Sequence, residues 1–314
     1  MTSPHTDKAR ATGQGSSPLL GGRRLLAVAM NQVSDAPLAI ACHRAGCYPS
    51  LSSFNHLRPG VFDAPAFLDE LDRFIAATGS AEVLLSLAPF MISDRVLVGA
   101  LAKRGVTHVE VFKWKTEQAA WSALLDRCTA LSQALGWRFL FKVHRREDVL
   151  DPRARHVIFK GNDGAGRTDP EAGSLEENFG EIRRLRPDLP VIPSGGIATA
   201  AQVRQYLAAG APAVGIGTLF AAAEESSLSH ETKLGMIAAG QAQLQTLGAT
   251  HHRALVFAPL ARDDANYTES LRQGMAGTTS GSIFAGKGID QVDRILPVRE
   301  IVARLLADVP ASAT

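Results

Sequence analysis

Short apolar runs recur along residues 25–217, and each is followed by a loop and then by an amphipathic stretch. Most runs are continuously apolar rather than alternating, which is typical of parallel strands buried on both faces. There are eight candidate strands, at 25–30, 48–52, 82–88, 106–112, 138–143, 156–160, 190–194 and 213–217. Eight strands alternating with helices predict an α/β fold, a (β/α)8 TIM barrel. A doubly wound open sheet is the alternative, but no GxGxxG motif follows the first strand.

The segments between these runs carry helix signals. Residues 63–79 present one apolar face over several turns. Ser174 and Glu177 form a capping box, in which each satisfies a backbone N–H of the other, and Thr199 and Gln202 form a second. Two of the predicted helices that connect consecutive strands therefore have a defined N-terminus.

The regular alternation stops after residue 220. The pattern then predicts a helix at 231–247, an apolar run at 253–258, a Gly-rich loop at 277–288 and a C-terminal helix at 294–308. We expect residues 25–314 to form one barrel domain, with 221–292 as a lid over the mouth where active sites of such barrels lie. A separate small subdomain is the alternative for 221–292.

Composition narrows the function classes. The chain has 314 residues, with Lys+Arg 33 against Asp+Glu 31, so no broad basic face for nucleic acid is predicted. No apolar run reaches the length of a membrane span, and residues 1–24 are polar and predicted to be a disordered tail rather than a leader. Three cysteines without a paired CxxC predict a reduced, cytoplasmic protein and no metal site.

Glycines cluster at the ends of the last two candidate strands. Ser194, Gly195 and Gly196 lead into the capped helix at Thr199, and the run Gly215–Ile216–Gly217–Thr218 ends the next strand. Glycines allow backbone N–H groups to approach a phosphate, and a helix N-terminus adds a favourable dipole. Phosphate sites of these barrels are often built by the loops after strands seven and eight. Two tight turns that need positive φ are the alternative explanation.

The segment VIPSGGIATAAQVRQYLAAGAPAVGIGTLFAAAEES, at 191–226, resembles the flavin-binding signature of the nitronate monooxygenase (2-nitropropane dioxygenase) family. The likeness extends to SHETKLGMIAA at 229–239 and to SIFAGKGIDQVDRILPVREIVARLL at 282–306, and more loosely to the first strand and helix. It implies an FMN-binding barrel that acts as an oxidoreductase. The implied FMN contacts are Met30, Asn31, Lys160, Gly161, Ala165, Ser194, Gly195, Gly196, Gly215, Ile216, Gly217 and Thr218.

The loop after the sixth strand departs from that family. Members typically show Gly-x-Glu-Ala-Gly-Gly-His, whereas this chain reads GNDGAGR at 161–167. The family histidine, which is implicated in removing a substrate proton, is replaced by Arg167. A guanidinium stays protonated, so it cannot act as a base, but it can hold a nitronate, carboxylate or phosphate. Pairing with Asp163 or Asp169, or pointing into solvent, are the alternatives for Arg167.

Other residues are candidates for the missing base. His144 ends the fifth strand and would point toward the mouth, and Asp163 would serve if desolvation raised its pKa; packing and turn formation are the respective alternatives. Lys160 stands where the family usually has a glutamine beside the flavin, and a cation there would stabilise an anionic flavin. A lysine at a strand end that extends into solvent is the alternative. Trp114 and Lys287 are candidates for contact with substrate or phosphate. Five further histidines lack such placement, although the third lies within the family-like segment SHETK: His43, His156, His230, His251 and His252.

The favoured function is an FMN-dependent monooxygenase that oxidises an anionic small molecule such as a nitronate, with O2 as electron acceptor. The alternatives are an NAD(P)H-dependent flavin enoyl reductase, a non-redox phosphate-binding lyase or isomerase, and a flavin-binding protein with altered catalysis. A small-molecule substrate is expected, without nucleic acid or membrane as partner. The oligomeric state is left open, with a homodimer as one alternative.

Overall fold

The computed structural model describes residues 18–58, 61–113, 117–169, 171–247, 251–256, 270, 273–274 and 281–310. The strands are β1 (Leu25–Ala27), β2 (Ser50–Ser52), β3 (Leu57–Arg58), β4 (Val61–Phe62), β5 (Leu84–Leu87), β6 (His108–Phe112), β7 (Arg138–Val143), β8 (Val157–Lys160), β9 (Gly166–Arg167), β10 (Val191–Ser194), β11 (Val214–Ile216), β12 (Leu244–Leu247), β13 (His252–Val256) and β14 (Ser282–Ile283). The helices are α1 (Ala36–Arg44), α2 (Ala64–Thr78), α3 (Arg95–Lys103), α4 (Gln118–Leu135), α5 (Leu175–Leu185), α6 (Ala200–Ala208), α7 (Thr218–Ala221), α8 (His230–Ala238) and α9 (Val298–Leu305).

Eight parallel strands form the barrel, in the order β1-β11-β10-β8-β7-β6-β5-β2. A bridge between Leu26 and Tyr48 brings the first and last strands of this order together. All eight candidate strands of the sequence are present, so the predicted TIM barrel is confirmed. Both capping boxes also form, at Ser174 with Glu177 and at Thr199 with Gln202.

Apolar side chains fill the barrel below its mouth. These inward-facing residues are Leu26, Tyr48, Leu84, Leu140, Ile158 and Ile192, all fully buried. A second and larger apolar layer lies between the strands and the outer helices. Because the lower interior is packed, the space for a ligand is at the carboxyl ends of the strands, as in other barrels of this type.

A separate antiparallel sheet lies beside the barrel, and we refer to β9, β12, β13 and β14 together as the covering sheet. Its central strand β13 pairs with β12, with β14 and with β9 of the loop that follows β8. The segment after residue 220 is thus joined directly to the loop at 161–169. Among the described residues, no helix combines the length and apolar character that crossing a membrane requires.

Three predicted boundaries are wrong. The helix predicted at 231–247 ends at Ala238, because Ala239 and Gly240 adopt extended backbone, and residues 244–247 form strand β12 instead. The helix predicted at 294–308 begins only at Val298, where extended Pro297 is the N-cap.

The predicted tail at 1–24 is too long, since residues 19–22 form a 3-10 turn whose Leu20 is fully buried in the barrel floor. Residues 1–17 lie outside the described part of the chain.

Candidate active site

A cavity of about 630 Å³ opens at the carboxyl ends of the barrel strands. Its walls come from the loops after β1, β8, β10 and β11 and from the covering sheet, which contributes His252 and Ile283, with Phe284 directly after β14. Ten of the twelve FMN contacts implied by the resemblance line it: Met30, Asn31, Lys160, Ala165, Ser194, Gly195, Gly196, Gly215, Gly217 and Thr218. Arg167 and His144 line it as well.

The glycines after β10 and β11 form a cradle that side chains would fill. Gly196 has φ +81°, and a Cβ atom there would lie 2.5 Å from the Cβ of Asp163. A Cβ on Gly215 would lie 2.8 Å from Val28 and from Ser194. The backbone of both loops is therefore exposed to the cavity at the starts of α6 and α7, which suits a phosphate group.

A buried ion pair crosses the cavity floor. The Glu110 carboxylate, 1% exposed, accepts a hydrogen bond from Lys142 Nζ at 3.1 Å and another from Ser86 Oγ at 2.8 Å, both on its Oε1 atom. Its Oε2 atom is buried and has no hydrogen-bond partner among the described residues. A buried acceptor without a donor is costly, so this oxygen fits a bound molecule that presents an N–H or O–H group.

Two cations come from strand β8 and the loop that follows it. Lys160 donates a hydrogen bond to the backbone carbonyl of Arg167. Burial, followed by the positive charges of Lys142, Arg253 and Arg167, lowers the pKa of Lys160 to about 7. Burial also lowers the pKa of Arg167, yet a guanidinium remains charged at accessible pH. Near neutrality, the cavity therefore has one permanent and one titrating cation side by side.

Two histidines face the same space. Burial and the nearby Lys160, Lys142 and Arg167 hold the pKa of His144 well below its usual range, and its Nδ1 atom is buried without a partner among the described residues. His252 stands opposite Arg167 in the β9–β13 ladder. Burial, followed by the charges of Arg167 and Lys160, lowers the pKa of His252 to about 4. Both imidazoles are consequently neutral at pH 7.

Asp163 and Lys287 do not line the cavity. They form an ion pair with each other at 2.7 Å, and both side chains are about half exposed, at 48% and 47%. The backbone carbonyl of Asp163 also accepts a hydrogen bond from the backbone N–H of Lys287 at 2.8 Å. The Asp163 carboxylate is therefore paired with Lys287 outside the cavity lining, and its role as a base stays a prediction.

Two other predicted site residues do not line the cavity. Gly161 backs onto Leu175 of α5, where a Cβ would approach that side chain to 2.7 Å. Ile216 points into the apolar layer behind the barrel and is fully buried. Neither lines the cavity, because alternate residues of a strand face opposite sides. Trp114 lies outside the described residues.

Several cavity residues escaped the sequence analysis. Among them are His252, Glu110 and Lys142, and the Phe284 ring lies 5.8 Å from that of His252. Glu110 and Lys142 lie inside strands β6 and β7, where a charged residue in an apolar run was the available signal. His252 carried no such signal, because its position depends on pairing with a distant loop.

Comparison with known families decides the class of the protein. The family model for nitronate monooxygenase matches residues 147–308, a little over half of the chain. The chain belongs to the nitronate monooxygenase family. The matched region includes the glycine cradle, Arg167 and the covering sheet. Family membership makes the chain a flavin-dependent oxidoreductase.

Solved structures show the same fold at low identity. FabK from Thermotoga maritima is 20% identical with a TM-score of 0.76, over 91% of this chain and 92% of that chain. Nitroalkane oxidase from Streptomyces ansochromogenes is 20% identical with a TM-score of 0.69, over 91% and 95%. The enoyl reductase domain of MlnA from Bacillus amyloliquefaciens is 12% identical with a TM-score of 0.68, over 90% and 93%. No curated protein matches the sequence.

The cavity fits the flavin that this family uses. The glycine cradle would hold a phosphate, and the partnerless oxygen of Glu110 would accept a hydrogen bond from a ring N–H. Lys142 and Lys160 would lie beside ring carbonyls or a reduced, anionic ring, where a cation stabilises negative charge. These residues come from β6, β7 and β8 and from the loops after β10 and β11. The site therefore forms only when the barrel closes and brings these strands together.

Proposed function

We propose that the chain binds FMN and oxidises the stabilised carbanion of a small nitro compound, a nitronate, with O2 as the electron acceptor. The observation that carries the proposal is the charge of the cavity wall. Its described charged residues are Lys113, Lys142, Lys160 and Arg167 on one side and Glu110 on the other. Lys113 pairs with Asp148 and Lys142 pairs with Glu110, and Arg167 and the titrating Lys160 add positive charge beyond these two pairs. A cavity of that sign favours a substrate that is already anionic.

FMN is favoured because the cradle suits a terminal phosphate. The loops after β10 and β11 converge where α6 and α7 begin, and a phosphate monoester would meet both helix starts together. When bound, the flavin would supply the acceptor for the substrate's electrons and pass them to O2. The family's enzymes supply the precedent for the chemistry, and the cations of this chain supply the reason for an anionic substrate.

The protein's own residues would bind and orient the substrate. Arg167 offers a planar fork of N–H donors that matches two nitronate oxygens. Lys160 lies beside it, fixed by its hydrogen bond to the Arg167 carbonyl. Phe284 and Ile283 of the covering sheet close the apolar side of the cavity. These contacts would exclude water and hold the carbanion carbon against the cofactor.

The test is a spectrum followed by anaerobic mixing. Purified protein should show flavin absorbance, and heat-released cofactor should have the mass of FMN rather than FAD. Ethylnitronate should bleach the absorbance under argon, and admitted O2 should restore it. A colourless protein that takes up no FMN would contradict the proposal. Bleaching by NADPH and not by the nitronate would instead assign an enoyl reductase type of reaction.

A further inference from the structure

The structure places a histidine from the covering sheet beside the guanidinium of the loop. His252 of β13 and Arg167 of β9 are directly opposite residues of an antiparallel ladder. Opposite residues in such a ladder carry their side chains on the same face, about 5 Å apart at Cβ. Both side chains line the cavity. A neutral imidazole and a permanent cation thus face one small volume.

We propose that His252 is the base that removes the α-proton of a neutral nitroalkane, and that Arg167 holds the nitro group while it does so. This inference rests on the proposed function, since it adds neutral nitroalkanes to the nitronates assigned there. The proposed base lies on strand β13, whereas Arg167 lies on strand β9 in the loop after β8.

In this proton transfer, His252 accepts the proton and Arg167 stabilises the negative charge that forms. The C–H bond next to the nitro group breaks, and its electron pair delocalises into that group to give the nitronate. The proton goes to an imidazole nitrogen of His252. Arg167, with Lys160 beside it, stabilises the charge that develops on the nitro oxygens. After product release, the proton returns to solvent from the imidazole, whose side chain is partly exposed.

The surroundings of His252 make it a better candidate for the base than His144. The ring of His252 packs against that of Phe284, with centroids 5.8 Å apart, and this contact restricts the imidazole. Burial, followed by the charges of Arg167 and Lys160, lowers the pKa of His252, so that its imidazole is neutral at pH 7. His144 meets a third cation, Lys142, and its Nδ1 atom is sealed from solvent. A proton accepted by His144 would be harder to stabilise and to release.

The experiment measures proton removal separately from oxidation. Holoenzyme is mixed with excess nitroethane in D2O under argon, so that each enzyme oxidises little substrate, and loss of the α-proton signal is followed by NMR. The variants are His252→Gln, His252→Phe, which keeps a ring against Phe284, and His144→Gln, which tests the rival candidate. The matched control is His251→Gln at the exposed neighbouring position. Oxidation of preformed ethylnitronate is measured for each protein in parallel.

We expect the wild type and the His251→Gln control to exchange the α-proton faster than buffer, and both His252 variants to lose about 100-fold or more of that rate. In both His252 variants the rate of exchange should fall much further than the rate of nitronate oxidation, because oxidation of a preformed nitronate needs no base. A wild type without exchange, or His252 variants that retain it, would overturn the assignment. Loss of exchange in His144→Gln alone would assign the base to His144. Failure of nitronate oxidation in the wild type counts against the proposed function only, because exchange is read independently.

Discussion

Lys160 at the end of strand β8 donates its hydrogen bond to the backbone carbonyl of Arg167, seven residues further along the chain. This contact closes the glycine-rich loop upon itself. It also puts a buried ammonium next to a guanidinium, with Lys142 and Arg253 near enough to lower its pKa. The two cations of the proposed anion site are therefore structurally coupled, and the first two predictions follow from the charge of Lys160.

Anion binding should weaken as the pH rises through about 7, the pKa of Lys160. Below that pH the ammonium is charged, and above it the ammonium is neutral while Arg167 stays charged. Between pH 6 and pH 8 the charged fraction changes about tenfold, which sets the largest effect expected from Lys160 alone. Inhibition of nitronate oxidation by nitrate, whose charge is constant in this range, measures the affinity. The Lys160→Met variant should bind nitrate weakly with a flat profile, and an unchanged slope in that variant would contradict the prediction.

Lys160 should also make the folded protein less stable at low pH. Its folded pKa is below its unfolded value, so the unfolded chain binds more protons between about pH 7 and pH 10.5. The cost is fully present below pH 7 and is lost as the pH rises toward 10.5. Cofactor-free Lys160→Met should therefore be more stable than the wild type by about 1–2 kcal/mol at pH 6.5, with a smaller difference at pH 9.5. Urea unfolding measures this, with Lys103→Met on the exposed end of α3 as the control.

Gly196→Ala should abolish flavin binding. The new Cβ would lie 2.5 Å from the Cβ of Asp163, at a φ of +81° that side chains rarely adopt. The matched control is Gly180→Ala, within exposed α5, where a Cβ meets nothing within 4 Å. That control should bind FMN normally and gain about 0.5–1 kcal/mol of stability. Titration of cofactor-free protein with FMN gives the affinities, and equal affinities for the two variants would argue against the cradle.

Asp163→Asn should leave nitronate oxidation within about threefold of the wild type, since the carboxylate lies outside the cavity and pairs with Lys287. Because that ion pair is half exposed, its loss should cost less than about 1 kcal/mol. Lys287→Met should have the same small effect, and the double variant should cost no more than either single one. Thermal unfolding and initial rates test both points. A loss of activity of 100-fold or more in Asp163→Asn would restore Asp163 as a catalytic candidate.

Glu110→Ala should destabilise the protein strongly, by about 3 kcal/mol, because it leaves the ammonium of Lys142 buried without its carboxylate. Adding Lys142→Met should recover most of that loss, since the double variant has no unpaired charge. Urea unfolding of the cofactor-free proteins measures both values. If Glu110→Ala is as stable as the wild type, then the pair is solvated and the description of the cavity floor is wrong.

The barrel was predictable because its signals are local. Each strand is a short apolar run, and the two capping boxes depend on residues three positions apart, as at Ser174 and Glu177. The glycine cradle was predictable for the same reason, since Gly196 and Gly215 end strands that the pattern identifies. Arg167 was found because it stands at a defined place in a recognisable loop.

The rest of the site depends on pairings that the sequence does not encode locally. Strand β9 has only two residues, too few to show the alternation of apolar and polar residues that indicates a strand. Its partner β13 lies far away in the chain. Residues 244–247 were predicted to be helical because their few apolar residues fit either period. The contact of Glu110 with Lys142 depends on the register of β6 against β7. His252 reaches the cavity only through these long-range pairings.

The covering sheet also sets an order of events during synthesis. The last barrel strand, β11, ends at Ile216, whereas the last strand of the covering sheet, β14, begins at Ser282. A ribosome therefore releases the complete set of barrel strands and both glycine loops before the chain can pair β13 with β9 and β14. We expect the mouth of the nascent barrel to be open during that interval. The cofactor would then enter before the covering sheet forms and narrows the opening.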